Sequence, residues 1–67
     1  MVIVYFNGKA VMAFGGDEPY EAVETFCNTR QDLGLDFAKL TYDEDIGYTC
    51  PRGNVIDTIW EDGYLHL

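Results

Sequence analysis

Residues 2–14 read VIVYFNGKAVMAF, and this stretch decides the fold. Val2–Phe6 is β-branched and aromatic, Lys9–Phe14 is apolar after its first residue, and Asn7-Gly8 separates the two runs. A two-residue turn of type I′ requires positive φ at both central positions, which Asn and Gly tolerate best. The sequence therefore predicts a β-hairpin that Gly15-Gly16 ends.

A helix is predicted next, from about Glu18 to Leu33. Asp17 is a capping residue and Pro19 suits the first turn, where backbone N–H groups have no helical partner. Gly34 stands where a left-handed residue often ends a helix, with Leu35 placed to make the hydrophobic contact that follows.

The predicted helix is amphipathic, because its apolar residues recur at spacings of three and four. Tyr20 and Cys27 lie at the margins of the apolar face, which consists of Ala22, Val23, Phe26, Arg30 and Leu33. The opposite face is polar and mostly acidic, with Glu21, Glu24, Asn28 and Asp32.

The remaining chain is punctuated by turn residues at short intervals, which predicts short strands. The predicted strands are Phe37–Tyr42, Ile46–Cys50, Val55–Trp60 and Tyr64–Leu67, joined by turns at Asp43-Glu44-Asp45, Pro51–Asn54 and Glu61-Asp62-Gly63. An alternative is a short helix over Val55–Asp62, capped by Asn54 and ended by Gly63. The strand is preferred, because Val, Ile, Thr and Trp favour a pleat.

These elements predict one α+β domain over residues 1–67. An N-terminal β-hairpin, one central helix and a short antiparallel β-meander follow in the order ββαβββ(β), with the helix packed on one face of the sheet.

Charge limits the classes of partner. Twelve Asp and Glu residues against four Lys and Arg residues give a formal net charge of -8 and a pI near 4.1. The four cations are scattered, so they cannot form the basic patch that phosphate binding requires. Anionic lipid is disfavoured for the same reason. We therefore expect a protein partner with a basic surface, and neither nucleic acid nor a membrane as a direct ligand.

The spacing of the two cysteines, Cys27 and Cys50, matches no metal-binding motif, and a small secreted domain would usually carry a denser disulfide framework. The N-terminal segment has no basic region followed by a long apolar run. The expected compartment is the reducing cytoplasm, with both thiols as small buried apolar groups.

No catalytic, metal or cofactor site is predicted. His66 is the only histidine, and a residue so near a chain end rarely has the partner and pocket that general base catalysis needs. The run Asp43–Gly47 resembles the start of a calcium loop, but its glycine is at the fifth position rather than the sixth.

The carboxylates are the feature that points to a function. Acidic residues lie on the outer helix face and in three turns, and such rows approximate the charge density of a phosphate backbone. The candidate partner-binding residues are Asp17, Glu18, Glu21, Glu24, Asp32, Asp43, Glu44, Asp45, Glu61 and Asp62. Exposed aromatic residues would anchor the contact, and the candidates are Tyr5, Tyr20, Tyr42, Tyr48 and Trp60.

In size, acidity and aromatic content the chain looks like the small acidic proteins of phages and mobile elements. Some of those inhibit nucleic-acid enzymes, including CRISPR complexes, by occupying surfaces that bind DNA or RNA. This resemblance implies a non-catalytic inhibitor or regulator of a basic, nucleic-acid-handling protein. The alternative is an assembly module that forms a homodimer through sheet edges or an apolar face, and an enzyme ranks third.

Overall fold

A five-stranded antiparallel sheet with one helix on one face forms the fold, so the predicted α+β class is confirmed. The computed structural model describes residues 1–61. Its elements are β1 (Val2–Phe6), β2 (Lys9–Phe14), α1 (Pro19–Thr29), β3 (Thr41–Asp43), β4 (Gly47–Thr49) and β5 (Val55–Trp60), with 3₁₀ turns at Gln31–Leu33 and Phe37–Lys39. The predicted strand Tyr64–Leu67 and most of the loop before it lie outside the described residues.

The strands lie side by side in the order β2-β1-β5-β4-β3. The hairpin and the meander are therefore joined where β1 pairs with β5, and β2 and β3 form the two edges. This order places β3 and β4 on the opposite side of β5 from the hairpin.

The predicted hairpin turn at Asn7-Gly8 is confirmed. Both residues have positive φ, 52° and 85°, and Phe6 pairs with Lys9 across the turn. Asn7 also joins the turn to β5, because its backbone N–H donates to the Val55 carbonyl at 2.8 Å and its Oδ1 accepts from the Val55 N–H at 2.8 Å. One turn residue thus links two strands that are far apart in sequence.

Helix α1 is shorter at its C-terminus than predicted. The backbone leaves helical geometry at Arg30 (φ -106°, ψ 60°), and the guanidinium donates to both oxygens of the Asp32 carboxylate at 2.9 Å. Residues two apart do not face each other on a helix, so this ion pair requires the helix to end. Arg30 is therefore exposed rather than part of the apolar face, and Leu33 lies in the following turn.

The capping predictions are correct in part. Pro19 is the first helical residue, but the N-cap is Glu18 rather than Asp17, and no side chain caps the helix. Gly34 adopts the predicted left-handed conformation (φ 71°), although it ends the 3₁₀ turn Gln31–Leu33 rather than α1.

Of the strands predicted after residue 36 that the structure describes, the first is wrong over most of its length, and the other two are present. Residues 37–39 form a 3₁₀ turn instead of a strand, because the Asp36 side chain accepts from the Ala38 N–H at 3.1 Å and holds the backbone in a turn. Pairing begins only at Thr41. Strand β5 has the predicted bounds, and the alternative helix over Val55–Asp62 is wrong, since β5 pairs with both β1 and β4.

The core lies between α1 and the strands β1 and β5. The helix contributes Ala22, Val23 and Phe26 from the predicted apolar face, together with Cys27. The buried side chains are Val2, Val4, Ala22, Val23, Phe26, Cys27, Cys50 and Ile56. Within residues 1–61, neither α1 nor the 3₁₀ turns are long and apolar enough to cross a membrane.

We expect Ile56→Val to lower the free energy of unfolding by about 0.5–1.5 kcal/mol, because it removes a methylene from a fully buried side chain. Ile46→Val makes the same chemical change at a side chain that is 51% exposed and should stay within about 0.5 kcal/mol of the parent. Urea unfolding of both variants provides the comparison. Equal effects would contradict the assignment of Ile56 to the core.

Candidate functional site: an acidic and aromatic groove

All the candidate carboxylates that the structure describes are exposed to solvent. They are Asp17, Glu18, Glu21, Glu24, Asp32, Asp43, Glu44, Asp45 and Glu61, whereas Asp62 lies outside the described residues. Asp36 and Asp57 are also exposed, and sequence reasoning did not select them. The chain therefore presents its negative charge on the surface rather than in buried pairs.

Asp32 differs from the other candidates, because Arg30 neutralises it. This is the one ion pair within residues 1–61. The hydrogen bond from Arg30 lowers the pKa of the Asp32 carboxyl, and the same bond raises the pKa of Arg30. The prediction that Asp32 shares the outer helix face with Glu21 and Glu24 was wrong, since α1 ends before it.

Candidate residues from two parts of the chain meet in one groove between the start of α1 and the strands β4 and β3. We call it the tyrosine groove, and its volume is about 420 Å³. Glu18 and Tyr20 contribute from the start of α1, and Tyr42, Glu44 and Tyr48 from the β3–β4 hairpin. The full lining is Glu18, Pro19, Tyr20, Tyr42, Glu44, Gly47, Tyr48, Asp57 and Thr58.

Four aromatic rings form a continuous row beside the acids. Tyr20 meets Phe37 edge to face with ring centroids 4.9 Å apart, and Phe37 lies 6.3 Å from Tyr48. Tyr48 is in turn 5.0 Å from Tyr42. The same four rings also line a second depression, which shares its three tyrosines with the groove and is bordered by Glu24.

The sheet topology explains why these tyrosines are accessible. Tyr42 pairs with Tyr48, and Tyr48 pairs with the buried Ile56, so all three side chains lie on the helix side of the sheet. Helix α1 packs on β1 and β5 and does not extend over β3. Tyr42 is consequently 61% exposed, and Tyr20 at the start of the helix is 57% exposed.

Tyr48 is the least exposed of the three tyrosines. Partial burial raises the pKa of its phenol, with smaller contributions from Tyr42 and Tyr20. The phenol is therefore neutral at physiological pH and keeps a proton to donate.

The other two aromatic candidates lie elsewhere. Tyr5 is half-buried and projects from β1 on the face away from α1, as strand alternation requires between the buried Val4 and the core-facing Phe6. Trp60 is exposed at the end of β5, opposite Val2, and does not line the groove. The structure thus brings together three of the five predicted anchors.

Gly47 sets the position of β4 in the groove wall. Its φ is 102°, and a Cβ atom at this position would lie 2.7 Å from the Ile56 carbonyl oxygen and 3.2 Å from Asp57 Oδ1. The absence of a side chain therefore allows β4 to approach β5 closely. This approach places the Tyr42–Tyr48 pair beside Asp57 and Thr58.

Both cysteine thiols are buried and free. Burial raises the pKa of Cys27 to about 11, with smaller contributions from Cys50 and Asp36, and burial also raises the pKa of Cys50. A thiol must ionise to act as a nucleophile or to bind a metal. These environments favour the neutral form, which fits packing better than reactivity.

A smaller cavity of about 240 Å³ lies on another part of the surface. Lys39 and Arg52 line it together with Asp36, and Leu33, Leu35 and Pro51 supply apolar walls. Two of the four cations of the chain are therefore located away from the tyrosine groove. In residues 1–61, no three His, Cys, Asp or Glu side chains are arranged to hold a metal ion.

Comparisons with protein-family models, with curated proteins and with solved structures find no match to this chain.

We expect Gly47→Ala to destabilise the domain more than Gly53→Ala. Both glycines have positive φ, 102° and 93°, so both alanines carry a similar backbone strain, of order 1–2 kcal/mol. A Cβ at Gly53 meets no atom within 4 Å, whereas at Gly47 it meets the backbone of β5. Urea unfolding measures the difference, and equal losses would show that the close approach of β4 to β5 is not required.

The pH dependence of stability should report the burial of Cys27. In the unfolded chain the thiol ionises near its ordinary value of 9.0, whereas the folded protein keeps the proton until about pH 11. The folded state then binds more protons in this window, so the contribution of Cys27 is present below pH 9 and is lost as the pH rises towards 11. Cys27→Ala should flatten this part of the curve, and parallel curves for the two proteins would contradict the assignment.

Proposed function

We propose that the protein is a non-catalytic binding protein that engages the basic surface of another protein, and that it thereby inhibits or regulates a partner that handles nucleic acid. The cytoplasm is the proposed compartment, in keeping with two free cysteines. The binding surface would consist of the exposed carboxylates around the start of α1 and the β3–β4 turn.

One observation carries this proposal: the exposed acids are almost entirely without internal counterions. Among residues 1–61, only Asp32 forms an ion pair, although every described Asp and Glu is exposed. Uncompensated surface charge of one sign attracts and orients a partner of the opposite sign, and accelerates the encounter.

The proposed partner class follows from the same charge. Proteins that bind DNA or RNA carry clustered Lys and Arg residues, which neutralise phosphates. An acidic surface that occupies such a cluster competes with the nucleic acid for it. Inhibition by occupation is the mode that the resemblance to small acidic phage proteins implies, and it needs no catalytic group.

A second candidate function is self-assembly, and the uncovered face of the sheet favours it. Ile3 projects from the face of β1 that α1 does not cover, and it lies between its cross-strand partners Ala13 and Ile59. Ile59 is 46% exposed. Strand β2 is an edge, and its sequence contains no acid that would repel a second copy.

A charge-reversal experiment tests the first candidate. Glu21→Lys combined with Asp45→Lys reverses two exposed acids that do not line the tyrosine groove. The parent and this variant serve as baits in a lysate of the source organism, and retained proteins are identified by mass spectrometry. We expect basic nucleic-acid-binding proteins on the parent at low salt, far fewer on the variant, and release of the parent's partner by duplex DNA or RNA.

Lys9→Ala and Lys39→Ala provide matched controls, since they remove surface charge of the opposite sign and should not weaken capture. Circular dichroism of every bait confirms folding. If the parent and the double variant retain the same proteins at every salt concentration, the acids only keep the protein in solution. Sedimentation that shows a salt-insensitive dimer would then favour self-assembly.

A further inference from the structure

We propose that the tyrosine groove receives an arginine side chain from an extended basic segment of the partner protein. The groove is the one lined by Tyr20, Tyr42 and Tyr48 with Glu18, Glu44 and Asp57. This proposal rests on the proposed function and names the chemical group that the surface recognises.

Charge complementarity selects a cation as the occupant. Two acidic residues from separate parts of the fold, Glu18 at the start of α1 and Glu44 in the β3–β4 turn, line the groove. Asp57 also borders it, but its side chain projects from the face of β5 that carries its partner Tyr5. Within residues 1–61, no Lys or Arg lines the groove or the adjoining depression that Glu24 borders. Lys39 and Arg52 line a different cavity. A cation supplied by a partner would therefore meet carboxylates that have no competing counterion.

The tyrosine rings add a second, independent preference for a cation. A guanidinium or ammonium group is attracted to the face of an aromatic ring when it lies within about 6 Å of the ring centre. The centroids of Tyr42 and Tyr48 are 5.0 Å apart, so one cation can lie within that distance of both rings. Tyr42 and Tyr20 are more than half exposed, so their rings are available to a partner.

Arginine fits this combination better than lysine. Its guanidinium is planar, so it can stack on a ring, and its N–H groups form a fork that matches a carboxylate. It is also more weakly hydrated than an ammonium, which reduces the cost of placing it against the tyrosine rings of the groove. The groove offers rings and carboxylates together, and arginine uses both at once.

A fixed framework supports the groove, which favours selective binding over diffuse attraction. Tyr48 contacts Phe37 on one side and Tyr42 on the other, with ring centroids 6.3 Å and 5.0 Å apart. The close approach of β4 at Gly47 fixes the strand that carries Tyr48. The side chains that would contact the cation are therefore positioned before it binds.

The test uses the full chain, labelled with ¹⁵N, and the capped peptide acetyl-Gly-Arg-Gly-amide as the probe. Matched peptides carry citrulline, which is neutral and nearly isosteric, or lysine in place of arginine. We expect amide shifts concentrated at Tyr20, Gly47 and Tyr48, weaker binding of the lysine peptide, and no saturable binding of the citrulline peptide.

Variants assign the binding to the rings. Tyr42→Ala should weaken the arginine peptide roughly 2- to 30-fold, the range expected for losing a cation–π contact. Tyr42→Phe keeps the ring and should bind within about 2-fold of the parent, by the same reasoning. Trp60→Ala removes an exposed aromatic side chain outside the groove and should have no effect. Tyr20→Ala serves as the second groove variant if Tyr42→Ala does not fold.

Three results would overturn the proposal. The first is equal binding of the citrulline and arginine peptides. The second is shifts spread over the acids outside the groove, with an affinity that Tyr42→Ala and Tyr20→Ala leave unchanged. The third is self-association that requires Tyr42, because a second copy would then be the occupant.

The two proposals fail separately. If Glu21→Lys with Asp45→Lys abolishes capture of a basic partner while the groove variants do not, the proposed function stands and the arginine assignment is wrong. If the peptide binds in the groove but no basic partner depends on the outer acids, the arginine assignment stands and the proposed function is wrong.

Discussion

The structure depends on a single helix that packs against part of one face of a wider sheet. An α-helix with its side chains is about 10–12 Å across, whereas neighbouring strands are about 4.8 Å apart, so one helix covers two or three strands. Here α1 packs on β1 and β5, where Val4 and Ile56 are fully buried. The outer strands β3 and β4 must complete their helix-side surface in another way, and they do so with tyrosines and the 3₁₀ turn that carries Phe37.

Partial coverage leaves two surfaces with different chemistry. Beside the helix, the uncovered strands carry hydroxyl-bearing rings next to carboxylates, a combination that suits a hydrated, charged ligand. On the reverse of the sheet, Ile3 and Ile59 are paired on the face that α1 does not cover, an arrangement that suits another apolar surface. The first surface is the one proposed to bind a basic partner, and the second is the one proposed for self-assembly. The two lie on different faces of the same sheet.

The sequence predicted correctly those turns and strands that are determined by residues close together along the chain. The turn at Asn7-Gly8 and the strand at Val55–Trp60 are correct, because turn chemistry and β-branched residues act over a few residues. The end of α1 was predicted too late in the chain. The backbone leaves helical geometry at Arg30, whose side chain pairs with Asp32 two residues on, and a helix does not bring such residues together. The groove could not be predicted from the sequence, because Glu18 and Glu44 are far apart along the chain and line one groove only in the folded protein. The acids at 43–45, Tyr20 and Tyr42 were predicted correctly as exposed, whereas Tyr5 and Tyr48 are half-buried. The grouping of these residues depends on the sheet order.

The sheet order also sorts charge across the molecule. The first sixteen residues contain no Asp or Glu, and they form β2 and β1 with the exposed Lys9 on the edge strand. The acidic turn that joins β3 to β4 belongs to the opposite edge. A molecule arranged in this way has an electric dipole along the sheet in addition to its net charge. The field of a basic partner, as proposed above, would exert a torque on this dipole and turn the β3–β4 edge towards the partner before any side chain makes contact.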